Sequence, residues 1–410
     1  MITALRGMKD IIDEAQKYEQ IIAVASSVAR RFGFGFIETP HLEETALFKR
    51  SVGESSDIVG KEMYEFIDKG GNAVCLRPEA TAGVVRAFVE KKLDRTSGVK
   101  RFFYTGAMFR YERPQKGRLR LFHQFGVESF GEVSALEDAS VILLAKQIFD
   151  ELGIAHTLEI NSLGCEACMP PFRAALTEFL TAHGGELCED CMRRKDENPI
   201  RALDCKNPDC QTIYRDAPLI GDYLCESCRA DFAQLERALA ANGVEARRNH
   251  RLVRGLDYYT KTAFEFVSAA IGAQSAIAGG GRYDKLVSFL GGKPTPAVGF
   301  ALGIERIYDL VQLGETARSG VYIGALDAAG IDKVFQIAAE LRKRTTATSG
   351  YAAASLKSHL KAADRANAEL CCAIGENELN SGTIWVKNLV TGEEQTTQIE
   401  RWIMGDTLSF

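Results

Sequence analysis

Arg254, Asp257, Tyr258 and Tyr259 stand close together in LVRGLDYYTKTAFEF, residues 252–266. They put a cation, an anion and two adjacent phenols at the mouth of a strand that otherwise reads as core. The plainer reading is a structural Arg–Asp pair with tyrosines packed beside it. Thr262, Phe264 and Phe266 follow with the alternation of one strand face.

Four more stretches carry chemistry-bearing residues. In YTGAMFRYERPQKGRLRLFHQFGVESFG, residues 104–131, strand periodicity gives Arg110 and Glu112 one face. Gln124, Gly126 and Glu128 share a face on the return strand, with apolar Phe125 and Val127 opposite. Arg113, Lys116, Arg118 and Arg120 fill the joining loop. Guanidinium forks suit phosphate oxygens, so the hairpin fits a nucleotide. A solvent-facing charged hairpin is the alternative. In LRPEATAG, Glu79 and Thr81 open a helix, where a carboxylate serves either a ligand ammonium or the helix dipole. AIAGGGRYDKLV has three glycines, for close backbone approach to a ligand or for a plain turn before a helix. PAVGFALGIERIYDLV reads as strand, glycine, helix, with Arg306 off the apolar stripe, in a site or on the surface.

Eight of the 11 cysteines lie between 165 and 228. Cys165/Cys168, Cys188/Cys191 and Cys225/Cys228 are C-x-x-C pairs, and Cys205 and Cys210 make a wider pair. Two pairs supply the four thiolates of a structural zinc, and eight thiols suffice for two sites. A metal-free helical insertion with free thiols is the alternative. Cys75, Cys371 and Cys372 sit in apolar strand-like runs and are expected in the core.

Positioning these residues requires a scaffold. Residues 10–32 carry a helical apolar stripe with Asp10 as candidate cap, and 79–92 and 136–152 are helical. FGFIETP, YEFID and AVCLRPE read as short strands, and 101–131 as a hairpin. Strands joined by hairpins, without regular strand–helix alternation, argue for a largely antiparallel sheet with helices against it. Residues 163–242 read as a mostly helical, Cys-rich insertion. Beyond about 320 the order strand, helix, helix, strand, hairpin marks a small separate α/β domain.

At 410 residues the chain is too long for one core. Its net charge of −5 assigns any nucleic-acid contact to local basic patches. No apolar run reaches a membrane span and MITALRGMKD lacks the apolar core of a signal peptide, so a cytoplasmic protein without membrane contact is expected.

The set FIETP, RPEATAG, FRYERPQKGRLRLFHQFGVE, RGLDYY, AGGGRYD and GFALGIER closely resembles the histidyl-tRNA synthetases, class II aminoacyl-tRNA synthetases, over essentially the whole chain. The resemblance implies an α+β fold. A discontinuous class II catalytic domain would span 1–162 and 243–315, a helical insertion 163–242 and an anticodon-binding α/β domain 320–410. It implies activation of L-histidine by ATP with Mg2+, then transfer to the 3′ end of tRNA(His), by a homodimer with Pro40 at the interface.

By the same resemblance, Arg110 holds the α-phosphate and the histidine carboxylate, Glu112 the adenine amino group, Arg118 the ATP phosphates, and Arg306 the adenine and γ-phosphate. Arg254 lies against the α-phosphate. Glu79, Ala80, Thr81 and Tyr258 belong to the ammonium side of the histidine site, where Ala80 replaces a glycine common in relatives. Gln124, Glu128 and Tyr259 belong to the imidazole side, and Arg113 and Gln115 to the tRNA acceptor end. In the C-terminal domain 342–344, Lys357 and Lys361 are candidate RNA phosphate contacts or solvated helix faces. The rival reading is a catalytically silent paralogue acting as the histidine-sensing regulatory subunit of ATP phosphoribosyltransferase. A class II synthetase for proline or threonine is a second, against which Gln124, Glu128 and RGLDYY argue.

Overall fold

The structure, a computed structural model, describes residues 2–12, 15–53, 56, 58–115, 117–205, 207–254, 258–271, 276–312 and 317–404. Asp257 and Lys116 lie outside the described residues. The chain forms two compact units, Met1–Gln312 and Leu313–Phe410.

An eight-stranded sheet organises the first unit. Its strand order is Gly35–Phe36, Lys100–Phe109, Leu121–Phe130, Ala297–Gly303, Ala276–Arg282, Thr260–Val267, Thr157–Ser162 and Ala246–Arg248. The six inner strands pair antiparallel, and only the two short edge strands pair parallel. The helices Ala15–Arg31, Ala135–Glu151 and Glu226–Ala241 contribute to the core on one face, with Phe125, Val127, Phe264 and Phe266 from the strands. Alternation therefore sends Gln124 and Glu128 to the other face. The helix expected from residue 10 is observed over Ala15–Arg31, where the buried stripe of Ile21, Ala25, Val28 and Ala29 begins to be covered.

Two local expectations change. Arg110 and Glu112 lie beyond the end of the Lys100–Phe109 strand, so their proximity comes from the loop and not from strand alternation. Gly279–Gly281 lie within the Ala276–Arg282 strand and make no turn. A Cβ on Gly279 would meet the movable guanidinium of Arg254, and one on Gly280 or Gly281 would meet the backbone of a neighbouring strand. A Cβ on Gly280 would lie 2.1 Å from the Gly299 carbonyl oxygen.

Residues 163–242, read as the insertion, contain the helices Met169–Ala182, Glu189–Glu197 and Pro208–Ile213 with several 3-10 turns, and also the Glu226–Ala241 helix, which packs on the core of the large sheet. The insertion has its own core, in which Phe172, Leu176, Leu180 and Tyr214 pack with five buried cysteines. Cys75, Cys371 and Cys372 are fully buried. In the second unit the five-stranded sheet runs Ala347–Ser349, Val321–Ala325, Leu370–Ile374, Thr383–Asn388 and Glu394–Gln398. The helices Ile331–Leu341 and Leu356–Arg365 accompany it, and the Ala347–Ser349 strand and the Glu376–Ser381 helix were not anticipated from sequence. Among the described residues no helix is long and apolar enough to cross a membrane.

Candidate active site

The polar face of the large sheet lines a cavity of about 710 Å3. Two parts of it differ in chemistry. One is cationic and the other is built of carboxyl, amide and phenol groups.

The hairpin end, with the start of the Ile304–Ile307 helix, supplies the cationic part. Arg110 donates through Nε to the Pro78 carbonyl at 2.9 Å. Its Nη1 lies 3.8 Å from Glu112, and Arg118 lies 3.2 Å from the same carboxylate. Arg306 donates to the carbonyls of Gly117 and Ala276, at 3.4 and 3.1 Å. Burial pulls the Arg306 pKa down, and the guanidiniums of Arg118 and Arg110 pull it down further. Three mutually repelling cations around one cavity are a place for a polyanion.

Glu128 and its neighbours form the second part. Glu128 is 1 % exposed and faces Gly299 across the strand pair. It accepts hydrogen bonds from Thr81 Oγ1 at 2.7 Å, from Tyr104 at 3.4 Å and from Tyr283. Burial pushes its pKa up to about 8, against the pull of those donors. A Cβ at residue 299 would lie 1.9 Å from Glu128 Oε2, so glycine there makes the space for the carboxyl group. Glu79 accepts from the Thr81 and Ala82 amides, at 2.7 and 2.9 Å, which places it on the amino end of the Thr81–Glu90 helix. It also lines the cavity, so capping and ligand binding are compatible. Tyr258 and Tyr259 lie ring to ring at 4.7 Å and both line the cavity.

Arg254 lies over Gly279, whose cross-strand row runs through Ala301 to Gly126. That row falls between those of Gln124 and Glu128. Its Nη1 donates to Glu265 at 2.8 Å, and the guanidinium faces the Tyr259 ring at 5.7 Å. Burial lowers its pKa, but Tyr259 and Glu265 outweigh burial and the net shift is upward, so it remains a cation. Arg254 Nε and Gln124 Oε1 are both buried without a hydrogen-bond partner among the described residues. Unpartnered buried polar atoms in a cavity wall are places for a ligand.

The cavity thus gathers Glu79, Thr81, Arg110, Glu112, Arg118 and Gln124, with Glu128, Arg254, Tyr258, Tyr259 and Arg306. Ala80 is packed with Val84, Val85 and Phe88 instead. Arg113, Gln115 and Pro40 are exposed and do not line the cavity. Sequence reasoning missed Glu265, although alternation with buried Phe264 and Phe266 was a usable signal. It also missed Tyr283, and Leu203, Asp204 and Gln211, which the insertion brings to the cavity wall. No sequence spacing announces those last three.

The site thus lies on a mainly antiparallel sheet with helices on its other face, beside a basic hairpin loop, and a separate C-terminal α/β unit follows in the chain. The family model described as histidyl-tRNA synthetase matches residues 7–307, and the one described as anticodon binding domain matches 321–404. A histidine–tRNA ligase of Sulfurimonas denitrificans is 61% identical over 397 residues, 97% of this chain and 98% of that protein. One from Campylobacter concisus is 57% identical over 401 residues, 98% of each. The crystal structure of apo Staphylococcus aureus histidyl-tRNA synthetase matches with a TM-score of 0.83 at 32% identity, covering 98% of this chain and 99% of that one. The chain belongs to the histidyl-tRNA synthetase family. Its near full-length relatives are ligases, which disfavours the regulatory reading.

Proposed function

We propose that this chain is a histidine–tRNA ligase that joins L-histidine to AMP and then passes the histidyl group to the 3′ end of tRNA(His). The observation that carries the reading is Arg254. It is a cation fixed by Glu265 over a strand glycine, with an Nε that has no partner among the described residues, in the cavity that holds Gln124 and Glu128.

MgATP is the substrate, with its phosphates on Arg110, Arg118 and Arg306 and its adenine amino group on Glu112. A histidine carboxylate oxygen attacks the α-phosphorus, the α,β-bridging P–O bond breaks, and pyrophosphate leaves with the electron pair. The nucleophile is already ionised, so no base is required. Arg254 and Arg110 stabilise the charge on the α-phosphoryl oxygens, and the rest is positioning. In the second step a ribose hydroxyl of the tRNA attacks the acyl carbon and releases its proton to the medium, the acyl C–O bond to the phosphate breaks, and AMP departs with the electron pair.

Gln124, Glu128 and Tyr259 face the imidazole, and Glu79, Thr81 and Tyr258 the ammonium, with Ala80 shaping that corner. A site built on such hydrogen bonds rejects amino acids that lack them by ~10⁴-fold or more, which removes the need for editing. The domains are 1–162 with 243–315, 163–242 and 320–410. Arg113 and Gln115 meet the acceptor end, the C-terminal domain meets the anticodon, and Pro40 lies in a homodimer interface of a cytoplasmic enzyme. Structural zinc on cysteines of the insertion belongs to the same reading.

The test is ATP–pyrophosphate exchange with each of the twenty amino acids offered separately. Exchange driven by histidine alone is expected. Silence with all twenty, beside measurable histidine binding, would refute the ligase reading in favour of a histidine sensor.

A further inference from the structure

The eight cysteines of the insertion sort into two quartets. Cys165, Cys168, Cys225 and Cys228 form one, and Cys188, Cys191, Cys205 and Cys210 the other. Within each, all four sulfurs lie within 4.8 Å of one another. We infer that the insertion binds two zinc ions, one on each quartet, and that the second ion holds a wall of the active-site cavity.

Sulfur spacing is the first argument. Cys165 Sγ lies 3.7 Å from Cys168 Sγ and 3.8 Å from Cys225 Sγ, and Cys188 Sγ lies 3.7 Å from Cys205 Sγ. A tetrahedron with Zn–S bonds of about 2.3 Å has edges of about 3.8 Å. A disulfide would need about 2.05 Å. The thiols are thus spaced for a shared metal and too far apart for a covalent bond.

Backbone donors are the second. The Cys225 amide donates to Cys168 Sγ at 3.1 Å, the Cys188 amide to Cys210 Sγ at 3.3 Å, and the Asn207 amide to Cys205 Sγ at 3.4 Å. Such bonds stabilise thiolates and orient them toward a metal. Gly164 precedes the first pair at φ +68°, and a Cβ there would lie 2.5 Å from Cys168 Cβ, so glycine permits the turn that folds one cysteine back beside the other.

The third is the size of the core. Five of the 14 buried residues in the insertion's cluster are cysteines, and the helices around them are short. A core this small normally needs a staple. Four thiolates per ion leave no open position, so both sites are structural. On binding, each of four thiols releases its proton to solvent and forms one Zn–S bond, with no electron transfer.

The two ions hold different things. The first quartet joins the ends of the insertion. Cys165 and Cys168 follow the Thr157–Ser162 strand, and Cys225 is the cap of the Glu226–Ala241 helix that packs on the catalytic core. Cys205 and Cys210, in the second quartet, are flanked by Leu203, Asp204 and Gln211 of the cavity wall. Gln211 also donates through its side chain to the Cys205 carbonyl. The inference does not depend on which amino acid the cavity activates.

The test is elemental analysis of the full-length chain, grown with zinc and purified without chelator. About two zinc ions per chain are expected, falling to about one in Cys165→Ser/Cys168→Ser and about one in Cys205→Ser/Cys210→Ser. A parent count near one or near zero overturns the proposal, as does loss of both ions in a variant that still melts cooperatively. Should the variants fail to fold, cadmium NMR of the exchanged parent decides. Two tetrathiolate resonances support the two sites, and a single resonance, or a shift typical of nitrogen or oxygen ligands, overturns them.

Discussion

Gly279→Ala separates the position of Arg254 from its presence. A Cβ at residue 279 would lie 2.4 Å from Arg254 Nη1, 2.5 Å from Nη2 and 2.6 Å from Cζ. Comfortable carbon contacts begin near 3.5 Å, so the guanidinium must retreat by about 1 Å. The obstacle is the end of a flexible side chain, and residue 279 has no positive φ. The strand therefore accepts alanine while the arginine leaves its 2.8 Å bond to Glu265. Misplacing a positioned catalytic group by ~1 Å costs on the order of 10²-fold in rate. That is about 2.7 kcal/mol of barrier. The assay is single-turnover adenylate formation at saturating ATP and histidine, with a thermal melt of the same preparation. The expected result is a rate lower by ~10²-fold with a nearly parental melt. Adding Arg254→Ala should bring little further loss, because both changes remove one interaction. A near-parental rate for Gly279→Ala, or a full further loss in the double variant, would refute the role assigned to Arg254.

Gln124→Leu removes a carbonyl oxygen with no partner among the described residues, so the melt should hold while the histidine KM rises by ~10-fold or more. An unchanged KM would remove Gln124 from the histidine site. Glu128 prefers its neutral form in the fold, with a pKa raised from 4.5 to about 8. Its contribution to stability is complete below the unfolded value and is lost as pH rises through that window. The ligand-free enzyme should therefore become less stable between about pH 5 and 8, and Glu128→Gln should flatten the profile; identical profiles would disprove it. Arg282 and Asp138 form an ion pair with side chains 1 % and 2 % exposed, and Thr262 donates to Asp138 at 2.5 Å. Arg282→Met strands the Asp138 carboxylate and should cost ~3–5 kcal/mol in chemical denaturation. A loss below about 1 kcal/mol would show that the pair contributes little.

Most secondary structure was legible because periodicity is local. The Lys100–Phe109 and Leu121–Phe130 hairpin, the Ala135–Glu151 helix and the Thr260–Val267 strand stand where alternation or the helical stripe placed them. The errors share a cause. Arg110 and Glu112 obey strand spacing on paper, but the strand ends at Phe109. Gly279–Gly281 have turn composition, but they lie in a strand crossed by bulky groups from elsewhere in the chain.

By itself the sequence determined the family, the ordering of the motifs, the basic character of the hairpin loop and the supply of eight thiols in one segment. Those are properties of residue type and short spacing, which the chain carries before it folds. Tertiary structure alone decided that Cys165 and Cys168 join Cys225 and Cys228. It also decided that Glu265 holds Arg254 and that Leu203, Asp204 and Gln211 reach the cavity. Periods of 2 and 3.6 residues fix only the direction in which a side chain leaves its own element. Which distant side chain it then meets depends on how the faces pack, and residues far apart in sequence meet only once the sheet is assembled and the insertion folded.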